Sequence, residues 1–107
     1  MAKRIILQSP DPILFKKCRP VEAFDEKLRI LLDDMRETLE AADGAGLAAP
    51  QVAVLKRVCV VSTEDGYYEL VNPELKSASG EQTGIEGCLS VKGKYGTVTR
   101  ADKITVI

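Results

Sequence analysis

The stretch that most constrains this chain is Gly44-Ala45-Gly46-Leu47-Ala48-Ala49-Pro50-Gln51, where a helical pattern stops and a strand pattern is about to begin. Two glycines one residue apart mark a sharp turn or a close approach of the backbone to another group. Leu47, Ala48 and Ala49 are small or apolar, so the segment is expected to be buried. Gln51 closes it with a lone polar side chain, which then needs hydrogen-bond partners or a ligand. The stretch reads as a site wall with one carboxamide pointed inward.

Before it, Asp25 suits the cap of a helix running to about Ala42. Leu28, Leu31, Leu32, Met35, Leu39 and Ala42 recur at the three- and four-residue spacing of one apolar face. Glu26, Lys27, Arg29, Asp33, Arg36, Glu37 and Glu40 fall on the solvent side, and Gly44 suits a left-handed cap just past the end. Residues 1–24 read as irregular, because Pro10, Pro12 and Pro20 leave room for only one helical turn at 13–17. After Gln51 the pattern is β. Runs at 58–61 and 67–71 flank the turn signal Thr63-Glu64-Asp65-Gly66 and predict a hairpin, closed by Asn72-Pro73. An extended piece at 74–79, a polar connection, and strands at 95–100 and 103–107 complete the chain.

Composition excludes much of the remaining chemistry. The 107 residues contain no histidine, which removes histidine-based nucleophile systems and histidine metal sites from what they build alone. With 15 basic and 16 acidic residues the net charge is −1, so no nucleic-acid or anionic-membrane surface is indicated. Only 5% of residues are aromatic, which argues against a base-stacking platform. Cys18, Cys59 and Cys88 form neither a disulfide framework nor a CxxC knuckle; Cys18 and Cys59 read as core. With no secretory signal and no spanning segment in the sequence, a cytoplasmic setting is expected.

Two motif matches are rejected on mechanism. Gly44 to Ala49 imitates a dinucleotide fingerprint, but that motif needs strand, glycines, helix, and here the order is reversed. Gly93-Lys94 imitates part of a phosphate loop, yet Cys88 stands where its first glycine belongs.

The second informative stretch is Thr83-Gly84-Ile85-Glu86-Gly87-Cys88-Leu89-Ser90. With both stretches in view, the chain resembles the peptide deformylase family. That family's first motif is glycine, apolar, glycine, apolar, Ala-Ala, any residue, Gln, matched here by Gly44 through Gln51. Its second, Glu-Gly-Cys-Leu-Ser, stands intact as Glu86 to Ser90. The long helix before the first motif and the strands after the second also agree, so the resemblance covers the whole chain. The family's third motif, HExxH on a later helix, is absent from these residues.

The resemblance implies an α+β fold of antiparallel sheets around one long helix, in a single incomplete domain over residues 1–107 that lacks the C-terminal HExxH helix. It implies hydrolysis of the N-formyl group from the formyl-methionine of nascent proteins, with release of formate. The implied cofactor is Fe2+, or Zn2+ or Ni2+, held by the Cys88 thiolate and two histidines that these residues do not contain. Gln51 and the Leu89 backbone amide match the family's two oxyanion donors. Backbone near Ala45, Gly46 and Gly87 would bind N-formylmethionyl peptides by strand addition, the glycines letting the substrate chain come close. Glu86 would stand behind the site and orient it, with Arg100 beside it.

Each residue also has a plainer explanation. Gln51 could bond neighbouring backbone, Cys88 could pack in a tight turn, Glu86 could be a turn carboxylate, and Arg100 an exposed strand arginine. Lacking histidine, the 107 residues are expected to be inactive alone and to hold no metal. The alternatives are a truncated product of an ordinary enzyme, a metal-free peptide-binding module, or half of a split enzyme. The apolar end at Val106-Ile107 favours the first and suggests self-association through residues near 103–107.

Overall fold

The computed structural model describes residues 2–107. Helix α1, Glu26–Ala42, begins where Asp25 Oδ1 accepts the Leu28 amide at 3.1 Å, as the capping residue predicts. It buries Leu28, Leu31, Leu32, Met35 and Leu39. The left-handed residue at its end is Asp43 (φ 53°) rather than Gly44, a conformation that aspartate tolerates. Gly44 is needed for packing instead. A Cβ there would stand 2.8 Å from Leu89 Cδ1 and 3.0 Å from Leu39 Cδ1.

From Gly44 the chain forms β1 (Gly46–Ala48), a 3-10 turn (Ala49–Val52) and the hairpin β2 (Val58–Thr63) with β3 (Gly66–Val71). Then follow β4 (Leu75–Ser79), β5 (Gln82–Cys88), β6 (Val91–Arg100) and β7 (Lys103–Val106). Among the described residues the strands pair antiparallel, in three sheets of order β1-β2-β3, β4-β7 and β5-β6, and an isolated parallel bridge joins Arg19 to Lys56. The architecture of the described residues is α+β, with antiparallel sheets and one α-helix. The strands do not surround that helix evenly. It packs on β1 and β2, where Leu47, Val58 and Val60 meet Leu31, Met35 and Leu39 in the core. The residues of β4 and β7 are all exposed.

Several boundaries differ from the sequence reading. The early helical turn is a 3-10 turn at Pro12–Phe15, with Asp11 as its cap. The polar connection before Cys88 is strand β5, held by β6 in a register from Gln82↔Arg100 to Gly87↔Tyr95. Gly84 and Gly87 hide that strand from a propensity argument. Strand β6 begins at Val91, earlier than 95. The wall segment is only partly buried, with Leu47 and Ala49 inside and Ala45 and Gly46 exposed. Cys18 and Cys59 are half-buried rather than core, and burial pushes the Cys59 thiol up. Cys59 alternates with the buried Val58 and Val60, so the pleat turns it to the other face.

The described N-terminal residues are largely irregular, as expected, but several are fastened. The Ala2 amide donates to Asp34 Oδ1 and the Arg4 amide to Thr38 Oγ1, each at 2.8 Å. Arg4 also pairs with Asp34 through its guanidinium at 2.9 Å. Asp34 and Thr38 are buried on α1, where the helical spacing marks no apolar residue. They serve as anchors for this strap. The Ala2 amide, with Arg4 beside it, holds the Asp34 carboxyl below the usual carboxylate range.

Candidate active site

The two motif stretches meet along a groove of about 790 Å³ between the strap, the end of α1 and the turn that joins β5 to β6. Ala45, Gly46, Gln51, Gly87, Cys88 and Leu89 all line it. Gln51 sits in the 3-10 turn after β1, three residues beyond Ala48, and its side chain folds back along the chain. Gln51 Oε1 accepts the Ala48 amide at 3.0 Å. This is the local backbone bond that the plainer explanation anticipated. It also has a consequence, since with the oxygen engaged the Nε2 end must face away from Ala48. Nε2 donates to Ser90 Oγ at 3.0 Å and lies 3.9 Å from Cys88 Sγ.

Cys88 ends β5 with its thiol exposed on the groove, and Leu89-Ser90 form the turn into β6. Among the described residues the Leu89 amide has no hydrogen-bond acceptor, whereas its carbonyl accepts from Gln8 Nε2 at 2.8 Å. Ser90 is buried, and its carbonyl accepts the Ser9 amide at 2.8 Å. The groove is thus lined by a fixed carboxamide nitrogen at Gln51 and by Leu89, which follows Cys88 in sequence. Neutral N–H donors stabilise a developing oxyanion without titrating.

Glu86 and Arg100 come together, but away from the Gln51 carboxamide. Arg100 Nε and a terminal nitrogen each donate to Glu86 at 2.7 Å, a two-pronged pair across the β5-β6 hairpin. The pair lines a smaller cavity of about 340 Å³, to which Gly87 and Cys88 also contribute. The Arg100 guanidinium lowers the Glu86 carboxyl, and Glu86 in turn raises Arg100.

A Cβ at Gly87 would stand 2.8 Å from Tyr95 Cε1, so the Tyr95 ring packs across this glycine. Gly46 is open, since a Cβ there would meet only the Val60 carbonyl at 3.5 Å. Gln8, Ser90 and Tyr95 are site neighbours that the sequence reading did not assign. No local signal marks Gln8, which meets Leu89 across 81 positions of sequence. Ser90 lies inside the second motif, and its burial is the missing clue.

A metal is poorly provided for by these residues alone. The described residues include no group of three or more His, Cys, Asp or Glu that could hold an ion. Cys88 is a single soft donor whose resolved neighbour is the Gln51 amide nitrogen, itself a hydrogen-bond donor and no ligand.

Residues 3–107 match the sequence model of the polypeptide deformylase family. The peptide deformylase of Acetivibrio thermocellus is 52% identical over 106 residues, covering 99% of this chain and 62% of that protein. Peptide deformylase 1 of Bacillus subtilis is 51% identical over 108 residues, covering 99% of this chain and 68% of its own length. The crystal structure of a Legionella pneumophila peptide deformylase superposes with a TM-score of 0.92 at 48% identity, over 97% of this chain and 63% of that one. The Ehrlichia chaffeensis enzyme in complex with actinonin superposes with a TM-score of 0.95 at 37% identity, over 99% and 67%. This chain therefore spans roughly two-thirds of the length of such relatives, 62% in the first case.

Proposed function

The chain belongs to the polypeptide deformylase family, and from that premise we propose that its groove takes the formylated amino end of a nascent peptide. The substrate class is N-formylmethionyl peptides, and the overall reaction is hydrolysis. Water adds to the formyl carbon, the C–N bond breaks, and formate and a free amine leave. Gln51 Nε2 and the Leu89 amide would donate to the formyl oxygen as it becomes an oxyanion. The observation that carries this reading is the Ala48 bond to Gln51 Oε1, which commits the other end of the carboxamide to the Cys88 side. The exposed backbone of Ala45 and Gly46 would receive the peptide as an added strand, with Gly87 and the Tyr95 ring opposite. The Glu86–Arg100 pair would brace the hairpin that carries Cys88.

Fe2+, or Zn2+ or Ni2+, is the cofactor that the family resemblance implies. The donors present do not fit such an ion, because Cys88 stands alone and the sequence has no histidine. Further ligands would have to come from outside these 107 residues, as part of the same protein or from a second polypeptide. The proposed role of this chain is thus to bind and orient the formyl group in a single domain, while water activation lies elsewhere. A cytoplasmic setting fits a nascent-chain substrate, and among the described residues no helix is long and apolar enough to cross a membrane.

Formate release tests the division of labour. The 107-residue chain with Fe2+, Ni2+ or Zn2+ should release no formate from a formyl-Met peptide above the buffer rate. The same chain extended by an HExxH-bearing segment should release it, and Cys88→Ala should abolish that activity. Metal-dependent turnover by the 107-residue chain, lost in Cys88→Ala, would contradict the proposed minimum site.

A further inference from the structure

Three consecutive residues of the N-terminal strap hold Gln51 and Leu89 of the groove wall and the buried Ser90 behind it. The Leu7 amide donates to the Gln51 carbonyl, Gln8 Nε2 to the Leu89 carbonyl, and the Ser9 amide to the Ser90 carbonyl, all at 2.8 Å. Leu7 and Ser9 act through backbone, which any residue except proline supplies. Gln8 alone acts through its side chain, and its Nε2 also lies 3.4 Å from the Ile6 carbonyl of its own strap. The strap is itself moored to α1 through Asp34 and Thr38.

The free N–H of Leu89 belongs to the peptide plane that joins it to Cys88. On one side of that plane Cys88 is held in β5 by its pairing with Val91. On the other side the Leu89–Ser90 plane is held by Gln8. We infer that Gln8 is a positioning residue, which fixes the turn so that the Leu89 amide and Gln51 Nε2 face one oxygen. The inference rests on the proposed function. Its physical basis is that oxyanion donors act only if placed before the charge develops. A misplacement of about 1 Å is enough to cost about 10²-fold in rate.

Two variants separate this role from general support of the fold. Gln8→Leu removes both polar ends, and Gln8→Glu keeps the shape but replaces the donating nitrogen with an accepting oxygen at neutral pH. In the 15N-labelled 107-residue chain, the Leu89 and Ser90 amide order parameters should fall from about 0.85 to below about 0.6 in both variants. Those of α1 should not change. In the protein extended by an HExxH-bearing segment, Gln8→Leu should lower kcat by about 10-fold or more and leave KM within about twofold, a loss confined to the transition state.

Unchanged order at Leu89 and Ser90 overturns the inference. So does loss of α1 order in both variants, because Gln8 would then support the fold as a whole. A rise in KM with kcat intact overturns it as well. If the wild-type extended protein releases no formate, the proposed function fails, and the order parameters still decide whether Gln8 holds the turn.

Discussion

Among single side chains, the carboxylate and guanidinium of Glu86 and Arg100 show how a charge pair on this hairpin responds to pH. Two bonds of 2.7 Å favour the ionised form of Glu86, and its folded-state pKa is lowered. Whatever the pair adds to the fold is therefore present above the ordinary carboxylate pKa and is lost as pH falls through the lowered one. Both groups are well exposed, so salt should weaken the pair. We predict that Arg100→Ala returns the Glu86 pKa towards the ordinary carboxylate value, as read by the 13C shift of its carboxyl during an acid titration. A Glu86 pKa that does not rise would mean that the guanidinium is not its cause. At this scale the motif residues were readable in advance, because Gln51, Cys88 and Leu89 lie inside short patterns with a chemical logic. Their partners were not. Gln8, Asp34 and Thr38 are polar residues whose role depends on chain segments remote in sequence, and a local pattern carries no trace of that.

At the scale of elements, α1 was the most legible part of the chain, since its apolar spacing and its cap agree. Asp25 accepts the Leu28 amide, which would otherwise lack an intrahelical partner, and its charge lies at the positive end of the helix. Asp25→Ala should therefore cost about 1 kcal/mol of stability. In a domain of this size that lowers the thermal midpoint by about 4–8 °C. A midpoint unchanged within about 1 °C would show that the cap is redundant. The hairpin of β2 and β3 was equally plain, with one branched and one aromatic-rich run on either side of an Asp-Gly signal. Strand β5 was not, because its glycines and its exposed surface suppress both propensity and alternation, and only its pairing with β6 reveals it. Gly44 shows the same limit. Its sequence position suggested a left-handed cap, but the contact with Leu89 that excludes a side chain comes from the other motif.

Across the whole molecule, burial is uneven. The core gathers α1 with β1 and β2, while Leu75 on β4 and Ile104 and Val106 on β7 lie exposed, with Ile107 exposed beside them. Among the described residues β7 pairs only with β4, and its other edge carries no strand. The 107-residue chain is therefore predicted to self-associate through this sheet. Sedimentation at rising concentration should show a growing average mass, and Ile104→Lys should reduce it. A folded species that stays monomeric when concentrated would remove this expectation. Whether the Gln51 carboxamide meets the formyl oxygen in the transition state is open to one direct measurement. In the protein extended by an HExxH-bearing segment, Gln51→Ala should lower kcat by about 10²–10³-fold, the usual loss for an oxyanion donor, with a much smaller change in KM. A kcat within about threefold of the parent, a loss below roughly 1 kcal/mol, would contradict the account and leave Gln51 as a purely structural partner of Ala48.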